Sequence, residues 1–498
     1  MCSAEASVAA PPRLNPMPRR TKIVATLGPA TDDIEVMDEL VAAGMDVVRL
    51  NVSHDTHERH RERAERIRDR AWASGRQVAV LMDLQGPKIR VGKFKDGAVN
   101  LTADDRFCID AECPPEGGDR TRIGTTYPDL AEDVARGDTL LLDDGAIELW
   151  VEEVRGSNIR CKVVVGGRLS NNKGINKKGG GLSAPALTEK DIDDIRFAAA
   201  IEADYVAVSF VRSADDVRIA REILHEAGGK GSIVAKIERA EALNGLDDII
   251  TAADVIMIAR GDLGVEIGDA ELPAVQKDII RRAREMNSVV ITATQMMQSM
   301  IESPIPTRAE VFDVANSVLD GTDAVMLSAE TSVGKYPSKV VEAMHRICQE
   351  AEKHASARRS THRLDTVFGR VDEAIAMATM YTANHLGVKA IAALTETGST
   401  VKWMSRISSG IPIYALTRFV ATRRKVTLYR GVYPVSFDVA STDIHEVNRE
   451  VVEELLRRGT VRNGDLVIIT KGDRSGVEGQ TNIMKIMRVG EHALLTED

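Results

Sequence analysis

The chain has 498 residues, of which 43% are hydrophobic and 28% charged, as in a globular protein of two to four domains. Its net charge of −10 provides no basic field for nucleic acid. No apolar run reaches the roughly 20 residues that cross a bilayer, so neither nucleic acid nor a membrane is an expected partner. The cysteines are sparse and lack CxxC spacing, which argues against a zinc site or a disulfide framework and favours the cytoplasm: Cys2, Cys108, Cys113, Cys161 and Cys348.

The first 19 residues are rich in small residues and proline. They contain no basic region followed by an apolar core, as a signal peptide would. We interpret residues 1–19 as a disordered N-terminal tail.

Short apolar runs then recur along the chain, and amphipathic stretches separate most of them. Such runs are typical of parallel strands buried on both faces, and the stretches between them are typical of helices. Eight strand–helix units predict a (β/α)8 TIM barrel over residues 20–87 and 187–358. The eight runs are 21–29, 45–54, 77–87, 203–211, 232–238, 254–262, 288–295 and 323–331.

Two further regions interrupt or follow this pattern. Residues 88–186 contain short alternating strands and turns but no convincing helix, which predicts a small β-barrel domain inserted after the third strand as a lid. Residues 359–498 return to alternation, with a helix at 371–386 and strands at 389–395, 411–417 and 465–472. They predict a C-terminal open α/β domain, joined to the barrel by a polar linker at 352–365.

Polar residues stand at the carboxyl ends of six predicted barrel strands. Those ends converge on one mouth, where barrel enzymes carry out their chemistry. Buried charges are costly unless they are paired or bind a ligand, so this mouth is the candidate active site. The residues are Arg49, Asn51, Ser53, Asp83, Lys236, Glu238, Arg260, Asp262, Thr292, Thr294, Ser328 and Glu330.

Glu238 and Asp262 follow neighbouring strands and supply the hard oxygen ligands that Mg²⁺ prefers. Lys236 lies two residues before Glu238 and therefore points to the same face of its strand. A lysine beside a divalent cation can stabilise a developing anion. The alternative is a purely structural Lys–Glu pair.

The segment ARGDLGVE, 259–266, places glycines around an aspartate directly after a strand. Its backbone N–H groups could hold an anion at the start of a short helix. The alternative is an ordinary turn between a strand and a helix.

With these residues in place, the chain resembles the pyruvate kinase family. The matching blocks occur in the family's order over residues 20 to 498, and they are KIVATLGPA, VVRLNVSH, DLQGPKIR, SNNKGIN, VAKIE, IMIARGDLGVEI, ATQMMQSM and VMLSAETSVGKYP. The resemblance implies reversible phosphoryl transfer from phosphoenolpyruvate to ADP, giving pyruvate and ATP in glycolysis. Positioning and charge neutralisation dominate such chemistry.

The resemblance also implies roles for individual residues. Arg49 matches the arginine that grips the substrate phosphate, and Lys236 matches the lysine that stabilises charge on the transferring group. Glu238 and Asp262 match the ligands of Mg²⁺ or Mn²⁺, and Thr294 matches the threonine implicated in protonating the enolate. The remaining matches are Ala259, Arg260 and Gly261 for the substrate carboxylate, and Arg90, His54 and Lys173 on the nucleotide side.

One departure from the family concerns its monovalent-cation site. Asn51, Ser53 and Asp83 occupy three of the positions that bind K⁺ in many members, but the fourth position, often threonine, is Leu84. Lys88 replaces a glutamate common in K⁺-dependent members. We predict that the Lys88 ammonium supplies the charge of the ion, so that K⁺ is not required; alternatively, Lys88 points to solvent at the domain hinge.

A cluster of hydroxyls opens a predicted helix in the C-terminal domain and is a candidate effector-phosphate site. The family's corresponding loop binds the phosphate of a sugar-phosphate activator, whereas the alternative is simple helix capping. The residues are Thr395, Thr397, Gly398, Ser399 and Thr400, and the loop 471–482 with Arg474 would select the effector. The resemblance further implies a homotetramer.

Two other functions remain open on the sequence. One is a different barrel enzyme of phosphoenolpyruvate or pyruvate chemistry, such as a metal-dependent lyase. The other is a catalytically silent sugar-phosphate sensor of the same fold.

Overall fold

The computed structural model describes residues 18–358, 367–439, 444–472 and 479–491. Within these residues the strands are β1 (Lys22–Thr26), β2 (Val47–Asn51), β3 (Ala79–Asp83), β4 (Ala98–Leu101), β5 (Arg106–Asp110), β6 (Arg122–Ile123), β7 (Thr139–Leu142), β8 (Ile147–Arg155), β9 (Asn158–Val165), β10 (Gly167–Ser170), β11 (Ile175–Lys177), β12 (Tyr205–Val208), β13 (Ser232–Ile237), β14 (Val255–Ala259), β15 (Val289–Ala293), β16 (Ala324–Leu327), β17 (Ala390–Leu394), β18 (Ile413–Thr417), β19 (Val432–Ser436), β20 (Leu466–Gly472) and β21 (Thr481–Arg488).

The helices of the described residues are α1 (Ile34–Ala43), α2 (His57–Ala73), α3 (Leu130–Asp133), α4 (Glu189–Ala200), α5 (Ala214–Glu226), α6 (Glu241–Asn244), α7 (Leu246–Ala252), α8 (Arg260–Ile267), α9 (Leu272–Glu285), α10 (Arg308–Asp320), α11 (Ala329–Ser332), α12 (Pro337–Ala351), α13 (Val371–Leu386), α14 (Ser399–Ser405), α15 (Val420–Lys425) and α16 (Ile444–Arg457). None of them combines the length and the apolar character needed to cross a membrane.

Eight strands form one closed barrel in the order β1-β16-β15-β14-β13-β12-β3-β2. Their pairing is parallel; for example, Val234 of β13 lies beside Val255 of β14. Every residue of β1, β3, β13, β14 and β15 is buried, because strands inside a ring of helices are covered on both faces. The predicted (β/α)8 barrel is confirmed.

Local signals in the sequence set the ends of the barrel helices. The Thr188 hydroxyl caps α4 by accepting the Asp191 N–H, and the Asp191 carboxylate accepts the Thr188 N–H in return. Helix α1 ends at Gly44, whose φ of 107° is one that other residues rarely adopt. These caps fix where each helix starts or stops between barrel strands.

The insertion after β3 consists of two sheets. One pairs β10 with β4, and the other has the order β11-β7-β8-β9-β5-β6. Both contribute to one apolar core that includes Phe107, Leu140 and Leu149. The predicted all-β insertion is confirmed, and its described strands form these two sheets instead of a single barrel.

The C-terminal domain contains a five-stranded sheet in the order β19-β18-β17-β20-β21. It is parallel except for β21, which pairs antiparallel with β20. The structure bears out the predicted open α/β class, and α13 spans the predicted residues. Strands β19 and β21, both at sheet edges, were not predicted.

The described residues form two compact units. The first comprises residues up to 50, residues 56–81 and residues from 296 onwards, and the second comprises residues 51–55 and 82–295. Residues 1–17 of the predicted tail and the Arg474 position lie outside the described residues. Arg19, placed in that tail by the sequence, is buried and pairs with Asp46 at 2.8 Å.

Candidate active site

Lys236 is the centre of a buried charge cluster in the second unit. Its Nζ lies 2.9 Å from Glu238 Oε1 and 3.1 Å from Asp83 Oδ1. It also donates a hydrogen bond of 2.6 Å to the Ser209 hydroxyl. These residues stand at the carboxyl ends of β13, β3 and β12, so three strands aim polar groups at one point.

Asp262 belongs electrostatically to the same cluster. Burial, together with the negative charge of Glu238, raises the pKa of Asp262 to about 7, and Lys236 only partly opposes this. A further cation beside this carboxyl group would lower its pKa and favour the ionised form. Burial also lowers the pKa of Lys88 to about 8, with Arg90 and Lys236 acting in the same direction and Asp83 and Asp262 against it.

The end of β12 is part of the cluster, and sequence reasoning missed it. Besides the Ser209 contact, the Phe210 N–H donates to Glu238 Oε2 at 2.7 Å. The fourth predicted strand, 203–211, was assigned no polar end residue. The rule applied to the other strands, a polar side chain directly after a buried run, would have found Ser209.

The turn between β14 and α8 is packed against the end of β15. The Gly261 N–H donates to Thr294 Oγ1 at 2.8 Å, and the Arg260 guanidinium donates to the Thr294 carbonyl at 2.7 Å. Thr294 itself has a φ of 67°, a left-handed conformation that is costly for a β-branched residue. Arg260 therefore fastens this turn to the end of β15.

The second strand brings together three of the predicted cation-site residues. The Ser53 N–H donates to Asn51 Oδ1 at 3.1 Å, and the Val52 N–H donates to the Asp83 carbonyl at 3.1 Å. Leu84 is buried beside them and offers no side-chain ligand. In the first unit, Arg49 Nη1 donates to Thr26 Oγ1 at 3.0 Å.

Two of the three predicted nucleotide residues are neighbours in the insertion. Arg90 pairs with Gly174, next to Lys173, and the Val91 N–H donates to the Lys173 carbonyl at 2.8 Å. The Lys173 ammonium forms an ion pair of 2.7 Å with Asp143. The third, His54, lies on the exposed turn after β2, where its N–H donates to the Asn51 carbonyl at 3.2 Å.

The other predicted strand-end residues have structural partners. Glu330 accepts the N–H groups of Ser328 and Met297 at 2.6 and 3.2 Å, which holds together two turns of the first unit. Thr292 is fully buried within β15.

The donor set suits a hard divalent cation with two protein carboxylates. No group of three or more His, Cys, Asp or Glu side chains in the described residues is arranged as a metal site. Mg²⁺, however, is held by one or two carboxylates together with substrate oxygens and water. The raised pKa of Asp262 beside Glu238 is the state that such a cation would relieve.

The predicted effector residues surround the start of α14. The Gly398 N–H donates to Thr395 Oγ1 at 3.0 Å, and the Thr397 and Ser399 hydroxyls share a hydrogen bond of 2.9 Å. Thr400 is different, because it is buried and its hydroxyl bonds that of Thr481 at 2.7 Å.

A closed (β/α)8 barrel that directs a buried lysine and several carboxylates to one end is the architecture of a barrel enzyme. Two family models match this chain: that of the pyruvate kinase barrel domain over residues 18–341, and that of the pyruvate kinase alpha/beta domain over residues 373–487.

Curated relatives match over nearly their whole length. Pyruvate kinase II of Salmonella typhimurium is 56% identical over 475 residues, which are 95% of this chain and 99% of the relative. A pyruvate kinase of Haemophilus influenzae is 53% identical with the same coverage. One from Mycobacterium tuberculosis is 44% identical over 477 residues, again 95% and 99% of the two chains. The chain belongs to the pyruvate kinase family and is thus a phosphotransferase.

Proposed function

We propose that this protein transfers the phosphoryl group of phosphoenolpyruvate to ADP, giving pyruvate and ATP. The bond from phosphorus to the enol oxygen breaks, a bond from phosphorus to a terminal oxygen of ADP forms, and the enolate takes up a proton at its methylene carbon. The observation that carries the proposal is the Lys236 ammonium, held between Glu238 and Asp83 beside the under-compensated Asp262. Such a cluster can neutralise a migrating phosphoryl group without forming a covalent bond to it.

The test is pyruvate formation from phosphoenolpyruvate and ADP, followed in a coupled assay with purified protein. Turnover that requires both substrates and a divalent cation supports the proposal. A silent sugar-phosphate sensor would produce no pyruvate. A metal-dependent lyase would act on phosphoenolpyruvate or pyruvate without consuming ADP.

Glu238 and Asp262 are the proposed ligands of Mg²⁺ or Mn²⁺. When bound, the cation supplies Lewis-acid stabilisation of charge on the phosphoryl oxygens. Isothermal titration of Mg²⁺ into the protein should show that Glu238→Gln weakens metal binding. Unchanged affinity would place the metal elsewhere.

The other substrate roles follow the sequence assignments. Arg49 would bind the substrate phosphate, the turn Ala259–Arg260–Gly261 would receive the substrate carboxylate, and Thr294 would assist protonation of the enolate. The Gly261 N–H already has Thr294 Oγ1 as a partner, so substrate binding at this turn would compete with that bond. We expect Thr294→Val to slow enolate protonation, measured as exchange of the methyl protons of pyruvate with solvent.

On the nucleotide side we propose Arg90, His54 and Lys173. The adjacency of Arg90 and Lys173 supports this, because two cations on neighbouring paired segments suit a diphosphate. Arg90→Met should raise the KM for ADP more than the KM for phosphoenolpyruvate. An equal effect on both would argue against the assignment.

Lys88 is proposed to replace the monovalent cation near Asn51, Ser53 and Asp83. The electrostatic influence of Asp83 and Lys236 on Lys88 supports its placement near this site rather than in bulk solvent. Activity should persist in K⁺-free buffer, and Lys88→Glu should create a requirement for K⁺. A tens-fold stimulation of the unmodified protein on adding KCl would contradict this role.

A sugar phosphate is the proposed activator, bound near Thr395, Thr397, Gly398 and Ser399. The contact between Thr400 and Thr481 supports a different role for Thr400, that of joining α14 to β21. Initial rates measured with a panel of sugar phosphates test the site, with Thr397→Ala as the variant expected to lose the response.

A homotetramer is the proposed assembly, and cytoplasm the proposed location. Exposed apolar side chains on two helices support self-association, because such surfaces are usually covered; they include Phe312 and Leu319 on α10, and Val371, Tyr381 and Leu386 on α13. Light scattering of the purified protein tests the assembly. The proposed domain boundaries remain 20–87 with 187–358 for the barrel, 88–186 for the lid, and 359–498 for the regulatory domain.

A further inference from the structure

Ser209 makes two hydrogen bonds whose directions can be assigned. Its hydroxyl lies 2.6 Å from Lys236 Nζ and 2.8 Å from the Leu84 carbonyl oxygen. An ammonium group can only donate and a carbonyl oxygen can only accept. The single Ser209 proton must therefore go to Leu84, and the Ser209 oxygen must accept from Lys236.

The Ser209 hydroxyl differs in charge from the two carboxylates beside the ammonium. Lys236 Nζ lies 2.9 Å from Glu238 Oε1 and 3.1 Å from Asp83 Oδ1, and both of these groups are acidic. Ser209 is a neutral partner. The neutral partner holds the ammonium in place without cancelling its charge, which a third carboxylate would do.

The surrounding chain fixes the Ser209 hydroxyl. Gly86 lies so close that a Cβ added to it would stand 2.8 Å from the Ser209 Cβ, so only glycine allows this approach. The Gly86 N–H donates a hydrogen bond of 2.9 Å to the Asp191 carboxylate, which also takes part in the cap of α4. On the other side Phe210 takes a φ of 55°, which directs its N–H to Glu238. A bulky residue in that conformation is strained and persists only where neighbours enforce it.

We propose that Ser209 is a positioning residue for Lys236 in phosphoryl transfer. It orients the ammonium through the chain Lys236 N–H to Ser209 Oγ–H to the Leu84 carbonyl, while Phe210 orients Glu238 from the same turn. The end of β12 thus aligns the two groups that act on the phosphoryl group. This inference rests on the proposed function.

The test compares Ser209→Ala with Ser209→Thr in the full-length protein by steady-state kinetics. Without the acceptor, the ammonium is drawn toward the two carboxylates and away from the reacting group. We expect Ser209→Ala to lower kcat about 10- to 100-fold, the cost of misplacing a catalytic group by a fraction of an ångström to an ångström. The KM for phosphoenolpyruvate and the thermal shift that this substrate produces should change little. Ser209→Thr retains the hydroxyl and should recover most of the turnover.

Ser288→Ala is the matched control. Ser288 is a buried serine next to β15 in the same unit, and its hydroxyl donates to the Asp254 carbonyl. Ser209→Cys is a further variant, close in size but with a poor acceptor, and it should behave as Ser209→Ala does.

Three outcomes would overturn the inference: kcat in Ser209→Ala within twofold of the unmodified protein, equal losses in Ser209→Ala and Ser288→Ala, or no recovery in a folded Ser209→Thr. If the unmodified protein itself forms no pyruvate, the proposed function fails instead, so the two failures are distinguishable.

Discussion

Two buried charge clusters in this chain are built in opposite ways. In the first unit, Arg19 pairs with Asp46, Arg20 with Glu352, and Arg406 with Asp323, and we call these three pairs the paired cluster. In the second unit, the site cluster sets Lys236 against Asp83, Glu238 and Asp262. Both are almost closed to solvent, so burial alone does not distinguish them.

The carboxyl pKa values reveal the difference. Burial alone would raise the pKa of Asp46, but Arg19 and Lys22 hold that pKa below its ordinary value. Burial would likewise raise the pKa of Glu352, but the cations Arg430 and Arg20 lower it below its ordinary value. In the site cluster, burial and Glu238 together raise the pKa of Asp262 to about 7. The paired cluster holds these carboxyl groups ionised with its own cations, whereas the site cluster does not do so for Asp262, and perturbed pKa values of this kind are common at functional sites.

Of the substitutions that test this comparison, Asp262→Asn should have the largest effect on turnover. We expect turnover to fall by about 10³-fold, because a metal ligand and its charge are both lost. We also expect the protein to become more stable to urea in metal-free buffer above pH 7. There the Asp262 charge is disfavoured in the folded state, and asparagine removes it. A clear loss of stability would show that the site cluster is a structural pair after all.

The next largest effect is expected from Asp323→Asn, in the paired cluster, and concerns the stability of the fold. Arg406 and Asp323 are both buried, and the Arg430 N–H also donates to Asp323 at 3.2 Å. Removing one member of a buried pair should cost about 3–5 kcal/mol in the free energy of unfolding, measured by urea denaturation.

The exposed pair of Arg281 with Asp278 provides the matched control for this variant. Asp278→Asn should cost less than about 1 kcal/mol, as exposed pairs do. Similar costs for the two variants would contradict the distinction between buried and exposed pairing.

A smaller effect concerns Lys22, which donates to the Val432 carbonyl at 2.6 Å beside the paired cluster. Burial lowers the pKa of Lys22 from 10.5 to about 8, although Asp46 opposes this. Between pH 8 and 10.5 the unfolded chain therefore binds more protons than the folded one, and stability should rise with pH. Relative to Lys22→Met, the unmodified protein should gain stability across this window. If the difference in stability between the two proteins stays constant with pH, the lowered pKa of Lys22 is refuted.

The fold could be predicted from the sequence because the patterns that indicate its strands and helices are local. The eight apolar runs and the helix over Val371–Leu386 are readable from spacing alone. The edge strand β21 was missed because its exposed and buried residues do not alternate cleanly.

The site was predictable only in part. Lys236 and Glu238 lie on one strand, so their proximity follows from a two-residue period. The role of Ser209 depends on Gly86 and Asp83, which are more than 120 residues away in the chain. The partnership of Arg406 with Asp323, 83 residues apart, likewise depends on tertiary packing that no local pattern encodes.

The most direct measurement is the turnover of Lys236→Met, with phosphoenolpyruvate binding followed in parallel by thermal shift. Methionine keeps the length and apolar stem of lysine but removes the charge. We expect kcat to fall by about 10³-fold while substrate binding persists, because the ammonium acts on charge that develops only in the transition state. A kcat close to that of the unmodified protein would contradict the account.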